Sequence, residues 1–184
     1  MTAKVFIAGS MNIKHLDPKV KERNDNIVAS KFEVVVGDAD GADASVQWHL
    51  FNLGKSKATV FCSGSSPRNN VGEWPVQSVE TAVSRAFLTA KDLRMAEVAD
   101  FGLMIWDTKS TGTLSNVIEL LVRKKKSVVF VNKAKAFKNV CTVEQLEEVS
   151  CMSDHAKRKA DEKIKLLGRI ESLKHDQAQT QMFA

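Results

Sequence analysis

Three aspartates crowd the segment Val36-Gly37-Asp38-Ala39-Asp40-Gly41-Ala42-Asp43. One aspartate is enough to cap a helix, so the rest are free to hold a sugar hydroxyl or to act as acid and base. A second segment, Ser110-Thr111-Gly112-Thr113, sets hydroxyls and a glycine where a helix is expected to begin. Unpaired N–H groups at such a start aim at an anion, which suits a phosphate. Carboxylates repel phosphate, so the aspartate turn is assigned to the sugar end of a ligand and the Ser110 to Thr113 turn to its phosphate. The polar stretch 63–75 carries Arg68, Asn69, Asn70 and Trp74. It reads as a lid in which Trp74 packs on the domain and Arg68 reaches a phosphate.

Other chemistries find little support. His15, His49, His155 and His175 are scattered, and Cys62, Cys141 and Cys151 are far apart and odd in number. Neither pattern offers a metal knuckle or a disulfide framework, so no metal and no cofactor are expected.

The elements that must position these residues follow from periodicity. Short apolar or β-branched runs at 5–8, 33–36, 59–62, 101–106 and 127–131 alternate with helical stretches. That alternation predicts an α/β, Rossmann-like three-layer domain with a five-stranded, mainly parallel sheet and an added C-terminal helix. Ligands of such sheets lie beyond the carboxyl ends of the strands, where Gly9-Ser10, Gly37-Asp38 and the Ser110 turn would converge.

Asp17 followed by Pro18 marks a helix start, and that helix should run to about Ser30. A second helix holds Val46, Trp48, Leu50 and Leu53 and ends at Gly54. A third is expected from Gln77 to about Ala99, with Ala82, Ala86, Ala90, Leu93 and Ala96 along one side, and a fourth over 114–125. Thr142 and Gln145 suggest a capping box for a short helix to about Val149. A charged helix over 153–175 carries a stripe of Ala156, Ala160, Ile164, Leu167, Ile170 and Leu173, which either packs on the domain or pairs with a second copy in a homo-oligomer. The expected division is a binding domain over 1–150, a C-terminal helix over 151–175 and a flexible tail over 176–184.

The chain has 184 residues, 43% of them hydrophobic, which suffices for a core without staples. A net charge of +5 favours anionic partners. Its one dense cluster, Arg123-Lys124-Lys125-Lys126, closes a helix where cations offset the dipole, so a nucleic-acid partner is not expected. No apolar run approaches membrane-spanning length and no signal segment is visible, so the chain is read as cytoplasmic, with no membrane partner. Two weaker signs point to DNA: Trp74 in the long loop could stack on a base, and Gln179-Thr180-Gln181-Met182-Phe183 resembles the extended peptides by which bacterial proteins dock on sliding clamps.

Over about residues 4–149 the sequence resembles the SLOG superfamily of Rossmann-like proteins, which includes nucleotide hydrolases and nucleotide-sensing domains. The resemblance rests on Phe6-Ile7-Ala8-Gly9-Ser10, on the aspartate segment at 36–43, on Ala99-Asp100 and on Gly112-Thr113. It implies a bound nucleotide or phosphorylated small molecule whose N-glycosidic bond is cleaved, as in phosphoribohydrolases or nucleoside deoxyribosyltransferases. The implied site has Gly112 and Thr113 on the phosphate with Gly9, Ser10, Gly37, Asp43, Arg68, Arg94, Ser110 and Thr111 around the ligand. Asn116 stands where the hydrolases carry a catalytic glutamate, and an amide is no general base. Asp107 is the first substitute, with Asp38 and Asp92 next. The alternatives are a non-catalytic nucleotide sensor, favoured by Asn116, or a DNA-associated protein with a clamp-binding tail.

Overall fold

Alternation within the strands decides which side chain faces which layer. In β1 (Lys4–Gly9) Val5 and Ile7 join one buried cluster while Phe6 and Ala8 join the other. In β5 (Phe101–Trp106) Leu103 and Ile105 go to the first cluster and Met104 and Trp106 to the second. A strand apolar on both sides must be covered on both sides, and helices do this. The computed structural model describes residues 2–54, 57–80 and 84–182.

One layer is formed by α1 (Pro18–Ala29) and α2 (Ala42–Leu53), whose Val20, Ile27, Val46 and Leu50 lie in the first cluster. The opposite layer holds α3 (Ser84–Val98), α4 (Thr111–Val122), α5 (Val143–Ser150), α6 (Asp154–Ile164) and α7 (Leu166–Met182). Between them lie β1, β2 (Glu33–Gly37), β3 (Lys57–Ser63), β4 (Val76–Val79), β5, β6 (Lys126–Val131) and β7 (Ala136–Val140), in the order β4-β3-β2-β1-β5-β6-β7. All neighbours are parallel except β6 and β7.

The α/β, Rossmann-like expectation stands, but its five strands become seven. Val-Gln-Ser-Val at 76–79, expected to open a helix at Gln77, instead alternates as a parallel edge strand on β3. Its entry is fixed by the Val60 N–H, which donates to the Pro75 carbonyl at 2.9 Å. Helix α3 then starts at Ser84. Of the expected stripe, Ala82 and the side chain of Ala86 lie outside the described residues, Ala96 is buried and Leu93 is exposed. The strand β7 pairs back on β6 as a hairpin, with Phe130 against Phe137 at 5.0 Å between ring centroids and the Arg23 guanidinium 4.7 Å from the Phe137 ring.

Local caps follow the sequence closely. The Asp17 side chain accepts from Lys19 N ahead of Pro18, and the Thr142 side chain accepts from Gln145 N. Each such cap is worth about 1 kcal/mol. Gln145 Oε1 takes the N–H of Cys141 at 2.7 Å, one residue before the cap.

The single helix expected over 153–175 breaks at Lys165, which adopts left-handed φ 55°, ψ 46°. The break shifts the apolar stripe by one residue, so that Leu166 is buried and Leu167 is exposed. Ala156, Ala160, Leu166 and Ile170 join the core over the sheet, so the stripe packs on the domain rather than standing apart. Where a loose tail is expected from Asp176, α7 continues to Met182. The clamp-type peptide needs extended chain, whereas 179–182 are helical; Phe183 lies outside the described residues. Among the described residues no helix is long and apolar enough to cross a membrane.

Candidate functional site

The sheet reverses its strand order between β1 and β5, and two polar knots tie the carboxyl rim there and at β2. At the first, Ser10 Oγ donates to Asp107 Oδ1 at 2.9 Å, accepts the Asp107 N–H at 3.0 Å and touches Thr113 Oγ1 at 3.3 Å. Asp107 also accepts from Asn12 Nδ2 at 3.2 Å and from the N–H groups of Lys109 and Ser110 at 2.8 Å each. Burial works to raise the Asp107 pKa, but these donors outweigh it and hold the group below its ordinary value. Ser110 caps α4 by accepting from Thr113 N. Gly112 is exposed, and a side chain there would meet only open space, the nearest atom being Ser110 Oγ at 3.9 Å. Asn116 is buried one turn into α4.

The second knot centres on Asp38, whose side chain is 3% exposed. Arg68 grips it three ways, with Nη2 to Oδ1 at 3.0 Å and with Nε and the backbone N–H to Oδ2 at 3.1 and 3.0 Å. From the opposite side Lys91 Nζ, itself buried, lies 3.0 Å from Asp38 Oδ1 and 3.7 Å from Asp43 Oδ2. Burial alone would raise the Asp38 pKa; Arg68 and Lys91 reverse this and hold it well below the usual carboxylate range. For Asp43 burial wins over Lys91 and pushes the group up to about 7, and for Asp92 it pushes the group up to about 6. Asp43 Oδ1 has no hydrogen-bond partner among the described residues.

The long loop is fastened by the same knot. Asn69 Nδ2 donates to the Asp38 carbonyl at 2.8 Å and to Asp40 Oδ1 at 3.0 Å. Gln47 donates to the carbonyls of Gly37 and Asn69 at 2.9 and 3.2 Å and accepts the Val71 N–H at 3.0 Å. Trp74 packs on the α1–α2 side of the core, and Arg68 is spent on Asp38 rather than held ready for a phosphate.

The rim therefore gathers Gly9, Ser10, Gly37, Asp38, Asp43, Arg68, Asp107 and the 110–113 turn around two neighbouring knots. Arg94 stays apart, further along α3 in an ion pair with Glu97 at 2.6 Å. Sequence reasoning misses Lys91, Gln47 and Asn12. A polar residue inside a helix marks Gln47, but nothing local marks Lys91, whose partners Asp38 and Asp43 sit on one distant turn. Among the described residues no cluster of His, Cys, Asp or Glu could hold a metal ion.

Parallel strands wound outwards from β1 in both directions, with helices on both faces, define a Rossmann-like α/β protein. No family model and no curated protein matches the chain. Among solved structures it is similar to DNA processing protein A from Helicobacter pylori, described for its unique single-stranded DNA binding mode. The TM-score is 0.51 at 21% identity, over 69% of this chain and 64% of that one. The likeness is one of fold, and the chain spans 64% of the length of that structure.

This finding corrects the sequence-based expectations of a nucleotide or phosphorylated small molecule as ligand, of hydrolase or N-glycosidase chemistry, and of a chain without a nucleic-acid partner, because the matched protein is described by its binding of single-stranded DNA. The geometry runs the same way. A glycosidase needs a carboxylate open to the ribose or to water, whereas the oxygens of Asp107 and Asp38 already accept from the protein's own donors.

Proposed function

We propose that this chain is a DNA-associated protein that holds single-stranded DNA along the carboxyl rim of its sheet without cleaving it. The observation that carries this reading is the division of charge at the rim: the Asp38 carboxylate is paired from within by Arg68 and Lys91 and Asp107 is turned onto the rim's own donors, while Lys109 and Gly112 face outward. A polyanion is attracted by such a surface, and its phosphates suit the N–H groups of Thr111 and Gly112 at the start of α4. In this reading Ser10, Ser110 and Thr113 shape the turn, Gly9 and Gly37 allow close packing, and Asp107, Asp38 and Asp43 brace the loops rather than perform chemistry. Asp92 and Asn116 support the same framework, and Arg94 serves α3. The similarity to DNA processing protein A supports the choice of ligand. The SLOG-like motifs support a shared lineage of fold, and a cytoplasmic setting accords with a DNA ligand.

Fluorescence anisotropy with a labelled single-stranded oligonucleotide, its duplex and free nucleotides tests the proposal. Binding of the single strand should exceed that of the duplex and weaken steeply with salt, the logarithmic slope giving about 0.7 per phosphate neutralised. Gly112→Asp, which fits the open space and favours the helix start, should weaken single-strand binding at least about tenfold, one phosphate contact being replaced by repulsion. Equal affinity for strand and duplex, or a Gly112→Asp protein that binds normally, would overturn the reading.

A further inference from the structure

On the outer face of α2 two large aromatic residues have no structural employment. Val46 and Leu50 take the inward positions and are fully buried, while Trp48 is 56% and Phe51 50% exposed. Their rings meet edge to face, with centroids 6.1 Å apart at 88°. Beside Trp48 opens a cavity of about 290 Å³ lined by Lys14, His15, Lys21, Ser45 and His49. No carboxylate lines this cavity among the described residues; Asp25 is paired to the lining residue His49 at 2.7 Å.

From these facts we infer that Trp48 and Phe51 form a base-stacking platform for single-stranded DNA, with Lys14 and Lys21 beside it to meet the phosphates. The inference rests on the single-stranded DNA reading and gives it a second contact area. Aromatic rings accept any base on their π faces, and cations next to them hold the backbone that carries the base. A pocket this small takes one planar group rather than a folded ligand.

The platform is also joined to the rim. Ser45 Oγ donates to the Lys14 carbonyl at 2.8 Å and Ala42 N to the Ser10 carbonyl at 3.3 Å, so the loop after β1 lies along the first turns of α2. Trp48 stands six residues beyond Ala42, or about 9 Å along the helix at ~1.5 Å per residue. A strand leaving the rim for the platform passes the exposed Met11 and Lys14.

Anisotropy with oligo-dT and with an abasic oligonucleotide of equal length separates stacking from charge. Trp48→Ala should weaken oligo-dT binding about tenfold, within the range found for base–aromatic stacking, and leave abasic binding unchanged. Trp48→Phe should restore most of the loss. Because the ring is half exposed, the melting temperature of Trp48→Ala should stay within about 2 °C of the parent. Normal oligo-dT binding by Trp48→Ala, with Gly112→Asp impaired, would overturn the platform and leave the rim reading standing. Equal losses on both oligonucleotides would overturn stacking, and a change in self-association alone would make the patch a protein contact instead. A parent protein that binds no oligo-dT would overturn rim and platform together.

Discussion

Replacing Lys91 by methionine tests whether the buried charges beneath the rim are mutually dependent. The Lys91 ammonium is 5% exposed and lies between Asp38 and Asp43, with Asp92 on the same helix and Arg68 across from it. Above pH 7 the substitution removes the cation that Asp43 and Asp92 need when ionised, and breaking a buried pair in this way costs about 3–5 kcal/mol. The folded-state values of Asp43 and Asp92, about 7 and about 6, lie above those of the unfolded chain. The stability tied to their protonated forms is therefore complete below pH ~4 and is lost as pH rises through 6 and 7. Lys91 limits that loss, and without it the decline steepens and extends further. At pH 5 both carboxyls hold their protons and Asp38 keeps Arg68, so the variant should fall short of the parent by less than about 3 °C in melting temperature. At pH 8 the shortfall should reach roughly 10 °C, taking about 2–4 °C per kcal/mol for a chain of this size. Thermal unfolding followed by circular dichroism at both pH values measures this, and an equal shortfall at pH 5 and pH 8 would refute the reasoning.

Asp107→Ala should destabilise the chain by about 2–4 kcal/mol at pH 7, because it strands the N–H groups of Lys109 and Ser110 that now donate to it. Its folded value is depressed, so the part of this stability tied to the ionised form is complete above pH ~4 and is lost as pH falls through that lowered value; urea melts at pH 7 and pH 3 should show the smaller deficit at pH 3. Gly41 has φ 80° and ψ −125°, and a side chain there would run into the Met11 backbone. Gly41→Ala should therefore cost more than ~3 kcal/mol. Gly54→Ala, at φ 69° with nothing within 4 Å, should cost only about 1 kcal/mol. Chemical denaturation of the two variants side by side checks the contrast, which a similar cost at both sites would refute.

How far the sequence carried depended on how local each cause was. The runs at 5–8, 33–36 and 101–106 are apolar on both faces, and only a strand covered on two sides explains that, so the middle of the sheet was legible. Asp17-Pro18 and Thr142 with Gln145 act within one helical turn and were legible too. The edges were not. Val76-Gln-Ser-Val is too short to show its period before β3 supplies a partner, and β7 exists because a hairpin folds it onto β6. Lys165 gives no sign of its left-handed turn, yet that one residue decides whether Leu166 or Leu167 is buried.

At the site the residue types were legible and their direction was not. Glycine after a strand has two uses: it lets a ligand approach the backbone, or it leaves room for the protein's own side chains. A side chain at Gly37 would collide with the Asp43 carboxylate and the Lys91 ammonium, so here the second use applies. Of the aspartates that seemed to face a sugar, Asp38 and Asp43 turn inward onto Arg68 and Lys91 while Asp40 stays exposed beside Asn69, and this bears directly on the ligand. Ionised carboxylates on an open rim would repel a polyanion by several kT; with Asp38 paired to Arg68 and Lys91 and Asp43 holding its proton up to about pH 7, two of the turn's three aspartates no longer add to that repulsion.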